Sequence, residues 1–293
     1  CYDKKPKFAN LIELSRSLLY MIMQSIAKKT IVITGASSGI GLALARHCLE
    51  KNARVVMAAR SLEPMQQMLA SGGFSPDRCR IVQADVSRIE DCRLIVAQAI
   101  SAFGGIDVLI NNAGISMRAM FDKTDPDVIE RLMRVNFFGS MYCTHYAMPW
   151  LLKSKGSVVG VSSVAGYKGL PARTGYSASK FALQGFLESL RIENLRTGLH
   201  VLIACPGFTS SNIRMTALSG DGPPQGESPR DESAMMSAEE VAHAIVRAVE
   251  QRRRTLILSR QGKLTVFLNR LFPALVDRLV YRHMAREADS PFK

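Results

Sequence analysis

The chain has 293 residues, of which 47% are hydrophobic and 22% charged, with a formal net charge of +13. This composition excludes a disordered or fibrous chain, and no apolar run approaches the ~18–20 residues of a spanning helix, which excludes a polytopic membrane protein. Eleven of the thirteen net charges fall in residues 1–29 and 251–293; the near-neutral body therefore lacks a groove for nucleic acid, and an anionic surface such as lipid headgroups suits the ends better.

The first 28 residues read as an extension, in which Phe8, Leu11, Ile12, Leu18, Leu19 and Ile22 fit an amphipathic helix. The chain opens on Cys1, and Met21 and Met23 are alternative starts just ahead of the first strand. Six cysteines, at 1, 48, 79, 92, 143 and 205, form no CxxC pair or metal-ligand spacing; none of the five histidines has ligand spacing either, so no metal is expected. Scattered thiols predict a reducing compartment, the cytoplasm.

From residue 29 to 260 the pattern is one of strands alternating with helices. Thr30 to Thr34 is a β-branched strand that ends in glycines, and a helix follows from Gly41 to Lys51. Further strands are expected over Arg54 to Ala59, Arg80 to Ala84, Ile106 to Ile110, Gly156 to Val161, His200 to Ala204 and Thr255 to Leu258. Ser87 and Glu90 form a capping box for one helix, and Ser237 and Glu240 for another. Thr124 caps a long helix that runs towards Lys153, and Thr174 to Arg196 is helical. Seven strands in regular alternation require right-handed crossovers, hence an α/β fold: one doubly wound, mainly parallel sheet with helices on both faces.

Residues 209–236 break the pattern with Ser, Gly, Pro and charge. This stretch follows the sixth strand, on the edge where open α/β sheets bind ligands, and is expected to be a mobile substrate lid. Residues 261–293 form a basic amphipathic extension. Leu264, Phe267, Leu268, Leu271 and Phe272 precede Pro273, Leu275, Val276, Leu279, Val280 and Met284 follow it, and Lys263, Arg270, Arg278, Arg282 and Arg286 are interleaved. Such a face suits packing on the body or on a second subunit, or a membrane interface.

The turn Thr34-Gly35-Ala36-Ser37-Ser38-Gly39-Ile40-Gly41 joins the first strand to the first helix. Glycines there let the backbone approach a pyrophosphate, whose charge meets the free N–H groups of the helix. The second strand ends in Ala59-Arg60-Ser61, with no carboxylate to bond the ribose hydroxyls of NAD. A guanidinium and a hydroxyl at that place predict NADP(H).

With those blocks, Asp85-Val86, Asn111-Asn112-Ala113-Gly114, Asn136, Ser163, Tyr176-Ser-Ala-Ser-Lys180 and Pro206-Gly207 resemble the short-chain dehydrogenase/reductase family over about residues 29 to 258. The resemblance implies a single Rossmann-like domain in which Asp85 and Val86 flank the adenine. It also puts Asn112, Ala113 and Gly114 near the cofactor ribose and Pro206 and Gly207 beside the nicotinamide. Cofactor-binding residues are thus expected at Gly35, Ser37, Ser38, Gly39, Ile40, Gly41, Arg60, Ser61, Asp85, Val86, Asn112, Ala113, Gly114, Tyr176, Lys180, Pro206 and Gly207.

Tyr176 and Lys180 lie four apart and share a helix face, so a cation is placed to bring the phenol towards working range for acid–base chemistry. Ser163, at the end of the fifth strand, can donate to a substrate oxygen, with Ser162 as the alternative; the family's usual separation favours Ser163. Asn136 resembles the family's catalytic Asn, which holds a water linking Lys180 to solvent. The blocks around Tyr176 and the basic tail look closest to 11-beta-hydroxysteroid-dehydrogenase-like and related lipid-ketone reductases. This implies NADPH-dependent interconversion of a ketone and a secondary alcohol on a steroid, bile acid or keto lipid. The alternatives are a 3-ketoacyl-thioester reductase and a non-catalytic NADP(H) sensor or scaffold. A homodimer or homotetramer is expected.

Overall fold

The structure is a computed structural model that describes residues 25–207, 209, 213–226, 235–287 and 290–292. The amphipathic pattern of Phe8 to Ile22 and the alternative starts Met21 and Met23 lie outside the described residues.

Seven strands pair in parallel in the order β3-β2-β1-β4-β5-β6-β7. They are β1 Thr30–Thr34, β2 Arg54–Ala59, β3 Cys79–Gln83, β4 Val108–Asn111, β5 Ser157–Val161, β6 His200–Cys205 and β7 Thr255–Ile257. Since β1 and β4 are neighbours, the chain winds outwards to β3 on one side and to β7 on the other. The connections leaving β1 and β4 therefore diverge and open a crevice at their carboxyl ends.

Both faces of the sheet are buried, which is why the central strands read as continuous apolar runs. On one face Ile31 and Ile33 of β1 join Leu44 and Leu49 of α1 (Gly39–Glu50) and Ile245 of α7 (Ala238–Glu250). On the other, Val32 joins Ile95 of α3 (Ile89–Phe103), Leu151 of α5 (Gly139–Ser154) and Leu187 of α6 (Thr174–Glu193). Fully burying each such side chain contributes about 1.5–3 kcal/mol. α2 (Glu63–Gly72) adds Met65 and Met68 to the first face. The five described cysteines are free and buried.

Three local expectations change. No capping box forms at Ser87: Arg88 is the N-cap of α3, and the Ser87 hydroxyl and N–H both donate to Asp85 Oδ1. A serine next to a carboxylate two residues back closes a local turn instead of reaching forward. The cap ahead of Pro126 is Asp125, which accepts from Asp127 N, whereas Thr124 donates to the Met120 carbonyl. The expected long helix is also divided: α4 (Pro126–Met133) passes through a π turn, Arg134–Phe138, before α5 begins. The wider turn sets Asn136 wholly inside the protein. By contrast, Ser237 and Glu240 make the reciprocal box on α7.

Glycine fixes how close α6 comes to the sheet. A Cβ on Gly160 of β5 would run into Leu187 Cδ1, so its absence lets the helix settle low on the strand. That brings the first turns of α6 beside the end of β5.

The described part of 209–236 is docked. Leu218 exchanges backbone hydrogen bonds with Ser116 and Arg118, and Asp125 N donates to Gly220 O. Residues 261–293 contain two helices, α8 (Arg260–Leu271) and α9 (Pro273–Ala285), that pack on the body through Val266, Val276 and Met284. Leu264, Phe267, Leu271, Phe272, Leu275 and Leu279 are left 46–60% exposed on the outer side. Among the described residues no helix is long and apolar enough to cross a membrane.

Candidate active site

A cavity of about 750 Å³ opens at the carboxyl ends of β1 and β4, and its wall gathers residues from far apart in the chain. Of the residues expected from sequence, Gly35, Ser37, Ser38, Gly39, Ile40, Arg60, Ser61, Asp85, Val86, Asn112, Ala113, Gly114, Ser163, Tyr176, Lys180, Pro206 and Gly207 all line it. Gly41 and Asn136 do not; both lie packed behind the wall.

The turn after β1 is held by the segment after β4. The Thr34 hydroxyl accepts from the N–H groups of Asn112 and Ala113, while Asn112 Nδ2 donates to the carbonyls of Thr34 and Gly35. Gly35 has φ +67°, and a Cβ there would lie 2.8 Å from Ala113 Cα, so both conformation and space demand glycine. Ser38, the N-cap of α1, makes no side-chain cap, and the helix opens on the cavity at Ser37 to Gly39. A pyrophosphate fits this glycine-lined, amide-rich end of the helix. Further along the wall, Arg60 and Ser61 stand after β2, next to Asp85, Val86 and Ser87.

The opposite part of the cavity holds Ser163, Tyr176 and Lys180. Ser163 follows β5, accepts from Ala165 N, and shares a hydrogen bond with the Tyr176 phenol. The neighbouring Ser162 is buried and takes a hydrogen bond from Gln184 Nε2 at 2.9 Å, so its hydroxyl serves the packing of α6 on β5. Lys180 Nζ donates to the Val161 carbonyl at 2.9 Å and lies 5.8 Å from the Tyr176 ring centre.

Burial dominates the titration of both groups. It lowers the Lys180 ammonium to about 8, with Cys205 opposing. It also raises Tyr176, against the lowering effects of the Ser163 hydrogen bond and the nearby charges of Arg173 and Arg214. The sequence expectation that a neighbouring cation moves the phenol down therefore gives way to desolvation, because taking a phenolate out of water outweighs those contacts. At neutral pH the side chain is a phenol that can donate a proton.

Asn136 pins three segments together. Its Oδ1 accepts from Ile115 N at 2.8 Å, and its Nδ2 donates to Ile115 O and to Ser179 Oγ. A Cβ on Gly114 would meet both Asn136 Oδ1 and Lys180 Nζ, at 3.2 and 3.4 Å, so glycine lets the two amino-acid side chains flank this backbone closely.

The chain matches the short chain dehydrogenase family over residues 29–221. It belongs to the short-chain dehydrogenase/reductases. Among its relatives, Dehydrogenase/reductase SDR family member 7B of Bos taurus is 32% identical over 96% of this chain and 89% of its own length. The 11-beta-hydroxysteroid dehydrogenase-like 2 of Arabidopsis thaliana is 37% identical over 69% of this chain and 66% of its own. A short-chain dehydrogenase of Streptomyces avermitilis superposes with a TM-score of 0.73 at 26% identity, covering 89% of this chain and 98% of that one. A short chain dehydrogenase/reductase from Burkholderia phymatum, solved in complex with NAD, gives a TM-score of 0.77 at 22% identity, over 86% and 96% of the two chains. Membership makes the chain an oxidoreductase of a family that uses nicotinamide dinucleotides.

Several wall residues carry no sequence signal of the family. Arg131, Leu170, Arg173, Ile213, Arg214 and Leu218 complete the part of the cavity around Tyr176. They come from a helix, the loop ahead of α6 and the 209–236 segment, and only folding brings them together. Arg173 was the most findable, three residues before Tyr176 at the N-cap of α6. Among the described residues there is no group of three or more His, Cys, Asp or Glu that could hold a metal.

Proposed function

We propose that the chain is an NADP(H)-dependent reductase that interconverts a ketone and a secondary alcohol on a hydrophobic substrate such as a steroid, bile acid or keto lipid. The observation that carries this reading is the grouping of Ser163, Tyr176 and Lys180 around one cavity whose other end is the glycine turn and Arg60. NADP(H), when bound, supplies or accepts the hydride. Arg60 and Ser61 would hold its 2′-phosphate, and the amides of Ser37 to Gly39 its pyrophosphate.

The protein's own groups account for the proton and the charge. In reduction the Tyr176 phenol, kept protonated by burial, gives its proton to the carbonyl oxygen. Ser163, already in hydrogen-bond reach of that phenol, donates to the same oxygen and stabilises the charge that develops there. The Lys180 ammonium would steady the site electrostatically and hold the nicotinamide ribose. Asn136 keeps the backbone at Gly114 and Ile115 fixed against Lys180 and, as the family resemblance implies, would hold a water that links Lys180 to solvent.

Arg131 and Arg134 on the cavity wall favour a second reading, a 3-ketoacyl-thioester reductase whose acidic carrier would meet them. Carrier dependence separates the two. A non-catalytic NADP(H) sensor would show binding without turnover. The deciding experiment is NADPH oxidation against steroid, bile-acid, keto-lipid and acyl-thioester ketones, with Tyr176→Phe as the control. We assign the chain to the cytoplasm as a homodimer or homotetramer, with peripheral membrane contact through the exposed face of α8 and α9.

A further inference from the structure

The C-terminal helices form a second hollow beside the catalytic one. Between α9 and the loop that leads into α6 lies a cleft of about 450 Å³, lined by Gly169, Leu170, Pro171, Thr174, Val280 and Tyr281, with Ser177 and Asp277. Two of its polar groups are already engaged by the protein. The Ser177 hydroxyl accepts from Leu170 N at 3.1 Å, and Asp277 pairs with Lys168. What remains for a ligand is mainly hydrocarbon from Leu170, Pro171, Val280 and the Tyr281 ring.

The cleft adjoins the active site, since Leu170 lines both the cleft and the cavity that contains Tyr176. Ion pairs hold the elements that form the cleft to one another. Lys168 binds Asp277 on α9, and Glu287, just past α9, binds Arg173 at 3.1 Å and Arg118 at 3.6 Å with its carboxylate almost wholly buried. These bridges tie α9 and the residues just past it to the body on either side of the cleft. Nothing lies within 4 Å of the place a Cβ on Gly169 would occupy, so the space there is open.

We propose that this cleft is the subsite for the apolar tail, an alkyl chain or ring system, of the substrate whose carbonyl carbon reacts beside Tyr176. The assignment rests on the reductase reading and deepens it: substrate length is read by α9, past Leu170.

The test uses the full chain, NADPH and straight-chain 2-ketones from butanone to dodecanone. KM should fall with length, by up to about fourfold for each methylene buried, and then level off once the cleft is filled. Val280→Trp and Gly169→Leu narrow the cleft from opposite walls; Gly169 does not have a positive φ, so the backbone tolerates a side chain. Each variant should keep wild-type kcat/KM for butanone and lose at least tenfold for dodecanone. If either folded variant keeps the wild-type length series, or if the wild type shows none, the subsite is overturned. Thermal shift with 2-dodecanone on the NADP-loaded chain reads the cleft without turnover. A wild type that reduces no ketone sinks the reductase reading; the cleft then stands if dodecanone stabilises the wild type and not the variants, and falls if all three respond alike.

Discussion

Burial, more than its neighbours' charge, keeps the Tyr176 phenol protonated, the form that the proposed proton transfer requires. Tyr176→Phe removes only the hydroxyl, so the fold and NADPH affinity should persist while kcat falls about 10²–10⁴-fold; retained turnover would refute the role. Lys180 is held by one hydrogen bond to Val161 O and sits in a desolvated place that lowers it to about 8. Lys180→Met should lower kcat and weaken cofactor binding together, because in the proposed mechanism one ammonium serves both, and a change in only one would show that the roles are misassigned. Arg60 is exposed on the cavity rim. Arg60→Asp puts a carboxylate where a 2′-phosphate would sit, so Kd for NADPH, measured by fluorescence titration, should rise well above that for NADH. An unchanged Kd ratio would mean that Arg60 does not read the phosphate.

Strand and helix positions depend on a few close approaches. Gly160 admits Leu187, and Gly160→Ala should cost about 1–3 kcal/mol by overpacking and lift α6 from β5. Combining it with Leu187→Ala, which vacates the space, should give a coupling energy of opposite sign in denaturant melts; simple additivity would show that the contact does not set the helix height. His200 on β6 is the second such element. Its Nε2 donates to the Arg253 carbonyl at 2.7 Å, which leaves Nδ1 to accept from Ser157 on β5 at 3.0 Å. Burial lowers its pKa from 6.5 to about 4. A depressed histidine favours the neutral form on folding, so its contribution is complete above pH 6.5 and is lost as pH falls through 4, by at most ~3 kcal/mol. His200→Gln should flatten that slope, compared by melts at pH 7 and 4.5; an unaltered slope would assign the acid sensitivity to other groups.

The chain as a unit presents a near-neutral body with a cationic, apolar outer face on α8 and α9. Leu264, Phe267, Leu271, Phe272, Leu275 and Leu279 stand exposed among Lys263, Arg270 and Arg278, a combination suited to anionic lipid. Cosedimentation with vesicles should need anionic lipid and fade at high salt. Phe267→Glu with Leu271→Glu should abolish it without loss of NADPH binding. Absence of cosedimentation, together with a double variant that turns monomeric, would assign the face to a subunit interface instead. Deleting the segment is the poorer test, since Glu287 is bonded to Arg173 and so reaches the active-site wall.

The sequence by itself determined the sheet, its parallel sense and the residues at the strand ends. Apolar runs and glycine turns are local signals, and β1, β2 and β5 begin and end within a residue of where they are read. The glycine turn and the Tyr176–Lys180 pair were legible for the same reason, one being a single turn and the other one helix face, whereas Ser163 was preferred to Ser162 through the family resemblance. Tertiary structure decided what depends on distance along the chain. Asn136 turns inward because a π turn interrupts a helix that reads as continuous, and a one-residue change in winding leaves hardly any trace in hydrophobic periodicity. The direction of the Tyr176 shift depends on how much water the assembled wall excludes, a sum over residues from β5, α6 and the 209–236 segment. Likewise Glu287 is an ordinary acid in a basic tail until folding brings it between Arg118 and Arg173, when desolvation makes pairing obligatory and ties the last helix to the site.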